Sequence, residues 1–170
     1  AQQIIGGDAS FQFIELSGDR IFLSNTNSSL AIGNTALAEG EHSFAIGSNT
    51  FASGDYSVAM GQNTSAIGSH SFAMGEQTSA IGNSSFAIGN RTFASGDSSV
   101  AMGYQTNAGH YSFAMGNNTN AVGYSSVAMG YQTIASGKQS VAMGYQNNAI
   151  GDYSVAMGIN TSALGNYSFT

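Results

Sequence analysis

The chain repeats itself about every fourteen residues, and that period constrains its fold more than any other feature. The repeated phrase is Ser-[Phe/Val]-Ala-[Met/Ile]-Gly, as in Ser43-Phe44-Ala45-Ile46-Gly47 and Ser57-Val58-Ala59-Met60-Gly61. Between copies falls a second phrase, usually Thr-x-Ala-x-Gly, as in Thr50-Phe51-Ala52-Ser53-Gly54 and Thr64-Ser65-Ala66-Ile67-Gly68. One such period cannot bury its own apolar side chains and has to stack on the next. Two short strand-like phrases per period therefore predict an all-β chain wound as a parallel β-solenoid.

The register divides the chain. Residues 29–170 form about ten repeats, and residues 1–28 stand outside them. The first-phrase glycines step by fourteen from Gly33 to Gly158, except between Gly103 and Gly116, where the step is thirteen. The missing residue lies between Ala108 and Gly109, which reads as a deletion tolerated at a corner. In the non-repeat segment, Phe11–Leu16 and Arg20–Leu23 read as two strands around a turn at Ser17-Gly18-Asp19. They are placed either to cap the first turn or to act as an assembly element.

Strand alternation sorts the repeat into two faces. Phe44 and Ile46 point one way, and Ser43, Ala45 and Gly47 the other. All seven methionines occupy the second large position. If the small faces pack together, the roll is thin and the large columns form an outer apolar stripe of about 500 Å², which has to be covered. If the large columns face inward instead, the chain is a self-sufficient monomer. Alternation leaves both open. Glycines recur at both corners, where positive φ is the expected reason for them. Ten rungs at a strand spacing of about 4.8 Å give a rod about 48 Å long.

Composition narrows the function. Three basic residues stand against nine acidic ones, for a formal net charge of −6. That leaves no basic patch for nucleic acid or an anionic membrane surface, and no apolar run is long enough for insertion into a membrane. His42, His70 and His110 lie at one corner without an accompanying carboxylate column, so no metal site is read from them. No nucleophile elbow, P-loop or dinucleotide fingerprint occurs. The reading is therefore non-enzymatic, with no catalytic residues and no cofactor. The Thr column (Thr50, Thr64, Thr78 and onward) offers one Thr per turn on the Ala face, which argues against ice binding. Tyr104, Tyr131 and Tyr145 share one corner, and Tyr111, Tyr153 and Tyr167 the other. Tyr among small polar residues suits surface binding to glycan or protein, and the same columns suit stacking from turn to turn.

At the two phrases the sequence resembles the head domain of trimeric autotransporter adhesins, the YadA-like family, whose motif is close to Asn-Ser-Val-Ala-Ile-Gly. The likeness covers about residues 29–170, with Met often standing for Ile. It implies a left-handed parallel β-roll and a side-by-side homotrimer at a bacterial cell surface or in the extracellular space. It also implies that the large columns form the self-association interface: Phe44, Ile46, Val58, Met60, Phe72, Met74, Phe86, Ile88, Val100, Met102, Phe113, Met115, Val127, Met129, Val141, Met143, Val155 and Met157. The implied function is adhesion to a host, matrix or neighbouring-cell surface. A second reading makes the chain a structural subunit of an extracellular filament. In that reading the bare last turn accepts the next subunit's first turn or its residues 1–28, and such a head-to-tail contact does not close.

Overall fold

The chain winds as a parallel β-solenoid, in a computed structural model that describes residues 11–16, 19–24 and 27–170. Each first phrase supplies a strand of five residues, from Ser29–Gly33 and Phe44–Ser48 to Val155–Ile159. Each second phrase supplies a strand of two residues, from Leu37–Ala38 and Phe51–Ala52 to Ser162–Ala163. Long strands pair only with long strands and short with short, so a rung contributes one strand to each of two sheets. Equivalent residues pair in register, for example Ala45 with Ala59 and Ile46 with Met60. The shortened repeat keeps this register, because Asn107 and Ala108 still pair with Asn120 and Ala121. The corner absorbs the missing residue.

The small faces lie inside. Twenty alanines, from Ala31 to Ala163, form the core, with columns of buried Ser and Thr beside them. Apart from Asn147, no fully buried side chain among the described residues is larger than Thr. The Thr column is therefore interior and presents no surface to ice. Asn147 stands where other rungs have Thr and ties two rungs together. Its Nδ2 donates to the Gly158 carbonyl at 2.7 Å, and its Oδ1 accepts from the Thr161 N–H at 2.8 Å.

The expected reason for the glycines holds at one corner and fails at the other. The first-phrase glycines do have positive φ, from 113° at Gly158 to 134° at Gly116. The second-phrase glycines do not. From Gly40 to Gly151, Gly109 apart, they are required because the rungs approach backbone to backbone: a Cβ on Gly54 would lie 2.1 Å from the Gly68 carbonyl oxygen. The left-handed positions belong instead to the residue just before each buried Ser or Thr, such as Asn49 at φ 55° and Tyr56 at φ 56°. Their N–H groups reach back to the preceding rung, as Asn63 does to the Ser48 carbonyl at 2.9 Å. This direct partner keeps the left-handed turn in place, so the sequence can spend these positions on Asn, Gln, Ser, His or Tyr.

Asp and Asn just after the second-phrase glycine also have a structural task. Asp55 Oδ1 accepts from the Glu41 N–H at 2.9 Å, and Asp97 Oδ1 from the Asn83 N–H at 2.8 Å. Asp152 and Asn166 repeat the contact further along. Each caps the corner of the rung before it.

At the N-terminal end the pairing changes sense. Strands β1 (Phe11–Leu16) and β2 (Asp19–Ser24) form an antiparallel hairpin, and β2 runs antiparallel to β3 (Ser29–Gly33). The second strand is one residue longer at each end than the sequence predicted. The expected turn residues Ser17 and Gly18 lie outside the described residues.

Candidate self-association and binding surfaces

Because the core holds only small side chains, the large ones have nowhere to go but out. On the long sheet, Phe44, Val58, Phe72 and Phe86 form one outward column, and Ile46, Met60, Met74 and Ile88 form the other. Both columns continue to Val155 and Met157. Most of these side chains are half-buried by their neighbours above and below, while Met74, Met115 and Met157 are exposed. Phe72 and Phe86 stack with centroids 5.0 Å apart. Within one chain, the outer half of this apolar face is uncovered.

The short sheet has an outward apolar face too, and the sequence reading missed it. The side chains before and after each buried Ala of the second phrase point out, as Phe51 and Ser53 do around Ala52. Leu37, Phe51, Ile67, Ile81, Phe93, Val122, Ile134, Ile150 and Leu164 are between 39% and 65% exposed. Their signal was present in the two variable positions of Thr-x-Ala-x-Gly. It was hidden because the large residue changes place between them.

The corners carry ladders of rings and amides. Tyr131 and Tyr145 stack with centroids 5.1 Å apart and planes 8° from parallel, and Tyr153 and Tyr167 at 5.0 Å and 3°. Tyr56 lies between His42 and His70, at 4.9 Å and 5.1 Å. His42 and His70 are thus ring partners of one tyrosine. Tyr111 meets Tyr124 at a tilt of 59°. Tyr104 stands in the column of Tyr131, with Asn117 between them. Beside the Tyr131–Tyr145 pair, Gln146 Nε2 donates to Gln132 Oε1 at 2.7 Å. Near the start of the same corner, Asn49 Nδ2 donates to Asn63 Oδ1 at 2.7 Å. Stacked rings cover each other's faces and turn their edges and hydroxyls to solvent.

A core of alanine between two sheets, with apolar faces turned outward, defines a β-roll whose large side chains are left partly uncovered. The comparisons place it. The family described as YadA head domain repeat matches in overlapping pairs of repeats from residues 27–50 through 149–169, and the chain belongs to that family. Among solved structures, it is similar to the collagen-binding domain of the Yersinia adhesin YadA. That match has 25% sequence identity and a TM-score of 0.52, over 81% of this chain and 70% of the other. No curated protein matches the chain.

Proposed function

We propose that the chain is the trimeric adhesive head of a bacterial surface protein. Three rolls lie side by side with their long-sheet faces turned toward one another, and the corners meet the ligand. The observation that carries this reading is the long-sheet face itself. It presents two large apolar side chains on every rung, outside a core that has room for none of them. An apolar stripe of about 500 Å² is at the upper end of what a soluble monomer leaves in water, and patches of that size are often functional. Membership of the YadA head family supports the adhesive role and the bacterial surface as its place.

Collagen is the first ligand to test, because the similar solved domain is described as collagen-binding. The purified chain is expected to sediment as a trimer at micromolar concentration and to bind immobilised triple-helical collagen more tightly than heat-denatured collagen. A folded monomer at that concentration would remove the trimer. A trimer that binds neither form of collagen would leave the adhesive role to another surface ligand.

A further inference from the structure

The outer face of the short sheet follows a rule that nothing inside the chain imposes. Each rung turns two side chains outward there, and one is large and apolar while the other is small or polar. Phe51 is paired with Ser53 across Ala52, Ile81 with Ser79 across Ala80, and Ile150 with Asn148 across Ala149. No rung has two large side chains. The shortened rung at Asn107–Ala108, which has lost its third position, has none. The long sheet shares the rung spacing and strand alternation, yet carries two large side chains on every rung. Backbone geometry therefore does not set the limit.

The large side chain also changes column. It occupies the first position at Leu37 and Phe51, then at Phe93 and Ile134, the last three each three rungs from the next, and the third position in the other intact rungs. The identity varies among Phe, Ile, Val and Leu, and the small partner among Ser, Asn and, on the first rung, Glu39. What stays constant is the limit of one large apolar side chain per rung. Such a limit is what a face needs when a second surface lies against it at a fixed distance.

We propose that this face docks onto the same face of a second copy, with the two rods parallel and related by a two-fold axis along their length. That operation sets the first column of one copy opposite the third column of the other, at equal height. From Phe51 onward every large side chain then meets Ser or Asn, whichever column it occupies, and on the first rung Leu37 meets the partner's Glu39. The change of column is matched because both copies change together. A slip of one rung would set Phe51 against the partner's Ile67 and leave Ser53 facing the partner's Ser65, a clash beside a void. Glu39, on the first rung, is the one charged residue on the face, so little charge has to be desolvated.

The size of the contact says when it forms. Nine rungs of about 4.8 Å and a width of about 10 Å give about 430 Å² per copy, or about 860 Å² in all. That is below the ~1,200 Å² of stable specific pairs. One such contact is weak. This inference rests on the trimer proposed above, which turns three short-sheet faces outward and makes the contact multivalent between neighbouring heads. The occupant is thus the same face of a copy in another trimer.

The chain has no cysteine, so engineered thiols report cleanly. Ser79→Cys and Ile81→Cys are prepared as separate proteins, then treated with a short bis-maleimide either alone or mixed. The two-fold sets position 79 opposite the partner's position 81, so the mixture is expected to cross-link many-fold more than either variant alone. Equal cross-linking by a single variant, or none in the mixture, would overturn the proposal. Light scattering with rising concentration supplies the second test. The variant carrying Ile81→Lys and Ile150→Lys is expected to keep the trimer mass at low concentration and to lose further association. Association like that of the parent would overturn it. If the parent is a monomer at low concentration, the trimer fails by that measurement, while the cross-linking pattern still decides this face.

Discussion

The two sheets share one ladder of rungs and one alanine core, yet their outer faces differ. On the long sheet both outward positions are large on every rung: Leu, Phe or Val first, Ile or Met second. On the short sheet the two positions divide one large side chain between them. A face with fixed columns suits a permanent contact, in which each column meets the same surroundings along the whole rod. A face limited to one large side chain per rung suits a partner that carries the same limit. The difference shows that one repeat can encode two distinct apolar surfaces, because the core between them needs little beyond Ala, Ser and Thr.

The largest effect is expected where both faces share their support. Gly82→Ala places a Cβ 2.0 Å from the Gly96 carbonyl oxygen, a backbone atom with no room to yield. Overpacking of this kind costs ~3 kcal/mol or more when the backbone has to shift. Thermal melts by circular dichroism should show a strongly lowered midpoint or no folded protein, and both faces should be lost together. The adjacent Ile81→Ala points outward and should melt close to the parent. Equal damage from the two changes would mean that the outer face, and not the core, holds the ladder.

A smaller effect separates the faces on a single rung. Met129 lies on the long sheet, and Ile134 follows it on the short sheet. Met129→Asp puts an unpaired carboxylate into the proposed trimer contact, where a buried uncompensated charge costs about 3–5 kcal/mol. Analytical ultracentrifugation is expected to show monomers. Ile134→Asp should leave the trimer intact. Dissociation by both variants, or by Ile134→Asp alone, would reverse the assignment of the faces.

The architecture was legible because its signal is additive. Ten copies of Ser-[Phe/Val]-Ala-[Met/Ile]-Gly state the strand, the period and the slip at Ala108-Gly109 many times over. Which face turned inward was not legible, since alternation is symmetric between the two choices. Volume decides it: the space between the sheets is filled by Ala, Ser and Thr, with Asn147 the largest side chain in it, so Phe, Val, Met and Ile face out. A close approach of successive rungs explains the misread glycines. Gly54 looked like a turn residue with positive φ, but the left-handed residue is Tyr56, which the direct bond from its N–H to the Glu41 carbonyl at 2.7 Å holds in place. The short-sheet face was hidden for another reason. Taken as one column, Phe51, Ser65, Ser79 and Phe93 look irregular, and the rule of at most one large side chain per rung emerges only when both columns are read together.

The smallest expected effect lies at the corner between the two faces and asks whether the tyrosine ladder belongs to either. Tyr131 and Tyr145 stack nearly parallel, whereas Tyr104 in the same column is separated from Tyr131 by Asn117. Stacked aromatic pairs add about 0.5–1.5 kcal/mol beyond the area they bury. A double-mutant cycle on Tyr131→Ala and Tyr145→Ala should therefore return a coupling energy in that range. Tyr104→Ala should stay within about 0.5 kcal/mol of the parent, as exposed substitutions without such a partner usually do. None of the three changes is expected to alter the trimer mass, because each ring stands on the last residue of its long strand, beside the two apolar columns and not in them. Additive behaviour of the pair would show that the rings sit side by side without stabilising each other. Loss of the trimer would show that the long-sheet interface reaches round the corner as far as Tyr131. An intact trimer with normal coupling and weakened collagen binding would make the same stacked edges both a rung-to-rung clamp and part of the ligand surface.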